Sequence, residues 1–478
     1  MLYGFVVQNV LAFVNRVWDA EVTPALMEYI SIPNVSAAYD PDWKAAGHMD
    51  RAVSHVLAWM EARDIAGMEI SLIELDDRTP LIFVDIPAFG TAQPGPNVLL
   101  YGHLDKQPEM SGWREGLAPW SPVIAGDRLY GRGGADDGYS SFASLLAVEA
   151  VQKHGGSHRR CVVMIEASEE SGSPDLPAYV EHLAPRVGDV DLVVCLDSGC
   201  IDYDRMWVTT SLRGIAAGTL EVRVLEEGVH SGDASGVVPS SFRVARALLD
   251  RIEDSSTGEM LLPELHVDIP PDRLAAASAT ASELSEPISA QYKWSGTTMP
   301  MISDWAEQLL ARTWKPALSV IGADGFPDFS RAGNVLRPFT SLKLSVRLPP
   351  TCDAHVAVAA LAEVLTTDVP HTADVAFVDR EGSPGWNAPS FSPWLEAALN
   401  RASEAAFGAS ARTFGEGGSI PFMGMLGERF PNAQFVVTGV LGPESNAHGP
   451  NEYLHLPTAR RLTAAMAMIL HDHATVER

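Results

Sequence analysis

The sequence predicts an α/β protein in which a mostly parallel central sheet, flanked by helices, is interrupted by an inserted α+β domain. Three observations predict it. Between about residues 70 and 200, short apolar runs alternate with helical patterns, the signature of parallel strands covered by crossover helices. After Leu212-Arg213-Gly214 the runs alternate apolar with polar residues instead, the period of strands with one wet face. From about Trp386 the first texture returns, so the chain leaves one body and comes back to it.

In order along the chain, Phe5, Val6, Val10, Phe13, Val14 and Val17 fall close to helical spacing and predict a docked amphipathic helix. No basic segment or small-residue cleavage site marks this stretch as a signal peptide. The runs Val98-LLY, Cys161-VVMI and Leu192-VVCL are strands buried on both faces. Between the first two, Tyr139-SSFASLLAVEAVQ is small or apolar all round, as a crossover helix buried against a sheet must be. In the insert, Leu220-EVRVLE and Leu342-KLSVRL read as half-exposed strands. Val244, Ala247, Leu248 and Ile252 stripe one helix, and Ala354–Leu365 forms a second. Leu274-AAASATASELSEP, biased to Ala and Ser, reads as a surface excursion. A helix around Leu395–Ala406 and a strand Phe435-VVTGV complete the returning segment. The boundaries expected are 1–208 for the first segment of the catalytic domain, 209–385 for the insert and 386–478 for the second segment.

Composition narrows the function. The 478 residues are 46% hydrophobic and 20% charged, an ordinary globular balance, with a formal net charge of −27. Such a chain repels nucleic acid and anionic membrane faces, leaving small molecules, peptides or cations as partners. Four cysteines without a C-x-x-C pair form no disulfide framework, so a cytoplasmic location is the expectation. No window reaches the 18 uninterrupted apolar residues of a membrane span.

The acidic and histidine residues gather at strand ends, where open parallel sheets bind their ligands. Val98-LLYGHLD delivers His103 and Asp105; Leu129-YGRGGADDG delivers Asp136 and Asp137; Cys161-VVMIEASEESGS delivers Glu169 and Glu170. Leu192-VVCLDSG delivers Asp197, and Ser445-NAHGPNEY offers His448. Each piece alone has an ordinary reading: an incidental His-Leu-Asp, a solvated Glu-Glu loop, an Asp-Asp helix cap. Together they would place several carboxylates in one cleft, a cost that a divalent cation removes. Nitrogen and oxygen donors suit zinc, with manganese or cobalt as alternatives, and the carboxylates suffice for two ions.

With these residues in hand, the sequence resembles the M20 family of metallopeptidases, and within it the carnosinase-like dipeptidases. Tyr101-GHLDKQP, Leu129-YGRGGADDG, Glu166-ASEESGS, Asp197, Val229-HSG, Ser345-VRL, Glu416-GGSIP and Ala447-HGPNE echo that family in order. The resemblance implies a zinc-peptidase-like catalytic domain carrying a ferredoxin-like lid and dimerisation domain, in a homodimer. It implies two Zn2+ per subunit, one on His103 and Asp197, the other on Glu170 and His448, with Asp136 bridging across a cis Asp136–Asp137 peptide. Glu169 would be the general base that deprotonates a zinc-activated water, and Asp105 would orient His103. His230, in cis or from the other subunit, would supply the donor for the oxyanion. Arg347, Gly417, Gly418 and Ser419 would bind a substrate carboxylate; for Arg347 a solvated strand face, and for His230 a surface or core histidine, are the competing readings.

The chain departs from the family at Gly138-Tyr139, where relatives commonly read Lys-Gly, and at Phe414-Gly415, where carnosinase-like members carry an arginine. The function expected is hydrolysis of the amide bond of dipeptides or other small substrates with a C-terminal carboxylate. The alternatives are an N-acyl-amino-acid deacylase or desuccinylase and a non-catalytic metal-binding homologue.

Overall fold

The computed structural model of the chain describes residues 5–418 and 421–476. It divides into two compact units: 5–210, 388–413 and 425–476 form the first, and 211–387 with 414–418 and 421–424 the second. The sequence boundaries assigned all of 386–478 to the catalytic body, whereas the segment around the two glycines belongs to the second unit. The reason is local: Arg213 donates from its backbone N–H to the Gly418 carbonyl and from Nε to the Gly417 carbonyl, at 3.0 and 3.1 Å.

In the first unit the sheet runs, from one edge, Glu69–Ile73, Leu81–Ile86, Cys161–Glu166, Asn97–His103, Val190–Cys195 and Gln434–Val437, then Trp207–Leu212. The Asn97–His103 strand lies parallel to both neighbours, Cys161–Glu166 and Val190–Cys195, and Gln434–Val437 is parallel to Val190–Cys195. Every residue of the strands Cys161–Glu166 and Val190–Cys195 is buried, as expected for strands covered on both faces. The crossover helix Tyr139–Lys153 is buried from Tyr139 through Val151, so its lack of a polar face reflects enclosure on all sides. The N-terminal helix Val7–Val17 buries Val10, Phe13, Val14 and Val17, each worth roughly 1.5–3 kcal/mol of removed apolar surface. All four cysteines are free thiols. Among the described residues no helix is long and apolar enough to cross a membrane.

The second unit holds a four-stranded antiparallel sheet in the order Ala317–Asp324, Phe339–Leu348, Gly214–Arg223, Asp374–Ser383. The helices Ser241–Leu249 and Ala354–Thr366 pack on it, giving the β-α-β-β-α-β order of a ferredoxin-like domain. Its core joins Leu220, Val222, Leu342, Leu344 and Val346 to Val244, Leu248 and Leu361. Two details differ from the sequence pattern. Ala245, fully buried, replaces Ala247 on the inward stripe of the first helix. The Ala/Ser-rich excursion is itself helical, Pro271–Glu283, with only Arg273 and Thr280 buried; alanine is the best helix former, so a surface position did not require a loop.

Candidate metal centre

The parallel order brings three strand ends side by side, and these supply His103, Glu169, Glu170 and Asp197, while Asp136 and His448 come from loops next to a separate small sheet. His103 is the last residue of its strand, opposite Glu166 in the neighbouring one. Asp136 sits in the turn Gly134–Gly138 that opens the crossover helix, and the Asp136–Asp137 peptide is cis, as the resemblance implies. Glu169 and Glu170 begin a short 3-10 turn after Cys161–Glu166, and Asp197 lies two residues beyond Val190–Cys195. His448 comes from the loop before Tyr453–His455, with φ 61° in the left-handed region.

These side chains converge. His103 Nε2 lies 3.5 Å from Asp136, 3.6 Å from Asp197 and 3.9 Å from Glu169. His448 Nε2 lies 3.0 Å from Asp136 Oδ2 and 3.3 Å from Glu170 Oε2. Asp136 therefore faces one imidazole with each oxygen. Ligand atoms of His103, Asp136 and Glu170, and of His103, Glu169 and Asp197, group within 4.8 Å, the spacing of a metal-binding set. The second grouping includes Glu169, which stands farther from the His103 nitrogen than either aspartate.

The surroundings fix these groups. Asp105 is fully buried, and its two carboxylate oxygens accept the backbone N–H groups of Glu169 and Glu170 at 3.1 and 3.0 Å. His103 Nδ1 lies 3.1 Å from the Asp105 carbonyl and 3.5 Å from its carboxylate. Asp105 thus orients the imidazole chiefly through its main chain, and its side chain sets the Glu169–Glu170 turn. With Nδ1 engaged, Nε2 is turned into the carboxylate cluster and is buried without a hydrogen-bond partner among the described residues. A cation with nitrogen and oxygen preference fits that donor set.

Charge organises the protonation. Burial pushes the Asp197 carboxyl upward, and nearby Asp136 and Asp137 add to it while His103 opposes. Burial likewise raises Glu169, with Glu170, Asp105 and Glu166 reinforcing. Asp136 goes the other way: burial would raise it, but His103 and His448 hold it far below the carboxylate range. Burial would lower the His448 imidazole, yet Asp136 and Glu170 lift it to about 11. Asp137 is no part of the cage; burial lifts it to about 8, and its Oδ2 accepts from the His103 N–H and from Ser140.

At Gly138 and Gly415, where the chain departs from the pattern of the resemblance, an added side chain would meet close neighbours. A Cβ on Gly138 would run into the Tyr29 ring, so the lysine common there has no room beside Tyr29. A Cβ on Gly415 would lie 2.9 Å from Thr313 Cβ and crowd the Ser211 hydroxyl. Neither position carries a ligand.

The profile of peptidase family M20/M25/M40 matches residues 99–472. The chain belongs to that family. Cysteinylglycine-S-conjugate dipeptidase of Corynebacterium striatum is 28% identical to this M20 chain over 79% of it and 80% of the relative. Beta-Ala-His dipeptidase of Homo sapiens is 26% identical over 91% and 86% respectively. In fold, the M20 chain resembles the solved structure of the di-peptidase Dug1p from Saccharomyces cerevisiae, with TM-score 0.76, 20% identity and full coverage of both chains.

The remaining residues singled out in the sequence lie in the second unit. His230 ends the short strand Val229–His230 and is exposed, 3.7 Å from Asp233. Arg347 lies on Phe339–Leu348, half-buried, and burial lowers its pKa. The Gly417 and Gly418 carbonyls are taken by Arg213. Ser419 lies outside the described residues. Sequence reasoning gave no role to four buried polar residues in the first unit. Gln107 Nε2 donates to Glu170 Oε2 at 2.7 Å; Glu166 accepts from Tyr101 Oη at 2.5 Å and Ser173 Oγ at 2.8 Å; Arg132 and Glu452 form a buried pair. All four stand inside quoted motifs or next to them, but a motif does not disclose which members bond one another.

Proposed function

We propose that this M20 enzyme hydrolyses the peptide bond of dipeptides using two zinc ions, with Mn2+ or Co2+ as functional substitutes. His103, Asp197 and Asp136 would hold one ion, and Glu170, His448 and Asp136 the other. The observation that carries the reading is the buried His103 Nε2, without a hydrogen bond among the described residues, 3.5–3.9 Å from three carboxylates and beside an Asp136 that faces a second imidazole. When bound, such ions polarise the scissile carbonyl and bring the pKa of a coordinated water toward roughly 7.

The chain's own groups do the rest. Glu169, raised by burial, is suited to accept the proton of the attacking water and return it to the leaving amine at Glu169 Oε2. Asp105 holds Glu169 in place through its N–H, and Gln107 restrains Glu170. For the second unit, the resemblance supports His230 as donor to the developing oxyanion, and Arg347, Gly417, Gly418 and Ser419 as binders of a substrate carboxylate. Arg347 suits the latter because a guanidinium captures a carboxylate bidentately. The same likeness supports a homodimer joined through the second unit, and four free thiols support a reducing compartment such as the cytoplasm.

The test is metal analysis of the pure protein, then a panel of dipeptides beside N-acetyl and N-succinyl amino acids after zinc reconstitution. The proposal requires two ions per chain and a higher kcat/KM for dipeptides. Equal or reversed preference would reject the peptidase assignment.

A further inference from the structure

One buried ion pair of the first unit has no part in the hydrolytic chemistry. Arg132 and Glu452 are 1% and 0% exposed, and Nη1 lies 2.6 Å from Oε2. Replacing such a pair by apolar residues of like volume is often neutral for stability, so the pair's contribution is better sought in geometry. Each partner also holds backbone. Arg132 Nη2 donates to the Gly449 carbonyl at 2.7 Å, one residue past His448, and Nε donates to the Pro108 carbonyl at 3.1 Å, next to Gln107. Glu452 Oε1 accepts from the Gly133 and Ala135 N–H groups at 3.0 and 3.3 Å, and Ala135 immediately precedes Asp136.

Strand pairing brings the two residues near each other, with Glu452 opposite Gly131, the residue before Arg132. Tyr453 pairs with Tyr130 and Leu454 with Leu129, and the Gly131 N–H continues the ladder to the Glu452 carbonyl at 3.1 Å. Arg132 and Glu452 therefore sit where two short strands open into the Asp136 turn and the His448 loop. That loop carries Asn446, His448 and Asn451 at φ 53°, 61° and 64°. Non-glycine residues persist in this region only where their surroundings over-determine them. The Gly449 N–H bond to the Asn446 carbonyl and the Tyr453 N–H bond to the Ser445 carbonyl shape the loop, but both are internal to it. The Arg132 fork ties it across to the Asp136 turn.

We infer that Arg132 and Glu452 are a positioning pair that sets the distance from His448 to Asp136, and with it the affinity of the cation position those two share with Glu170. This rests on the two-ion reading of the site. The pair touches no substrate or reacting atom; it acts through Gly449, Gly133 and Ala135.

The test compares wild type, Glu452→Gln, Arg132→Lys and His448→Ala as metal-free full-length proteins titrated with Zn2+ against a competing chelator, beside near-UV circular dichroism and thermal unfolding. His448→Ala identifies which of the two binding steps belongs to its position. Glu452→Gln weakens that step about 10–100-fold, the usual effect of removing an outer partner of a ligand, and leaves the other at its wild-type affinity. Arg132→Lys keeps the charge but not the fork and gives a smaller loss at the same step. In the His448→Ala background, Glu452→Gln adds nothing. Wild-type affinity at both steps, equal weakening of both, or an added loss in the His448→Ala background would each overturn the inference. If Glu452→Gln does not fold, the step-selective loss in Arg132→Lys decides. Wild type binding no pair of ions would refute the hydrolase reading itself, a result distinct from any of these.

Discussion

Replacing Asp105 with Asn removes one charge and one acceptor from a fully buried group while keeping its shape. The two carboxylate oxygens receive the Glu169 and Glu170 N–H groups at 3.1 and 3.0 Å. Asn offers one oxygen and one NH2, so one of these N–H groups meets a donor and is left buried without a partner. A hydrogen bond to a charged group is worth about 1.5–3 kcal/mol, and one such bond is lost. At about 1.4 kcal/mol per tenfold, that is about 10- to 150-fold. The loss divides between kcat/KM, as the Glu169–Glu170 turn moves, and folding stability, so both must be measured: dipeptide hydrolysis at saturating zinc, and urea unfolding of the same preparation. The sum of the two free-energy changes is expected to reach at least about 1.5 kcal/mol, with most of it in kcat/KM. A variant that hydrolyses and unfolds like wild type would refute the idea that the Asp105 side chain builds the turn.

Glu169→Gln should retain both ions while losing about 10²–10⁴-fold in kcat; loss of an ion instead would make Glu169 a ligand, as its grouping with His103 and Asp197 allows. Zinc binding should release protons at pH 7 and weaken as pH falls. The sign is set by His448, held at about 11, and His103, also raised despite burial, which carry protons in the metal-free protein that a cation must displace; calorimetry in buffers of different ionisation enthalpy that finds no proton release would contradict it. Gly138→Ala should destabilise by about 1–3 kcal/mol through collision with Tyr29. An unhindered Gly→Ala would do the reverse, gaining about 0.4–1 kcal/mol, so denaturant unfolding decides by sign.

Much of the architecture was legible because burial writes itself into periodicity. Strands buried on both faces, such as Cys161–Glu166, read as unbroken apolar runs, and the half-wet Phe339–Leu348 alternated. The helix Pro271–Glu283 was missed because its exposed surface carries Ala and Ser, which mark no face. The candidate cluster was legible in part because His103, Glu169, Glu170 and Asp197 lie at or just past strand ends, whereas Asp136 opens the crossover helix and His448 precedes a strand. The Asp105 carboxylate acting on the Glu169–Glu170 turn was not, since it depends on two main-chain N–H groups that sequence does not display. Nor was the reason for Gly138: Tyr29 lies more than a hundred residues upstream, and only folding brings its ring against the turn. Lys106 is the same kind of case. It is fully buried with Nζ 2.7 Å from the Tyr29 and Ile32 carbonyls, closing the end of the helix Thr23–Ile30, and next to Asp105 it read only as part of a motif.

A carboxylate shared by two imidazole-bearing positions is the centre of the proposed chemistry. Anomalous diffraction at the zinc edge, from crystals grown with excess zinc, measures this directly. It should give two peaks per chain, one beside His103 and Asp197 and one beside His448 and Glu170, with Asp136 between them. A single peak, or peaks away from Asp136, would contradict it.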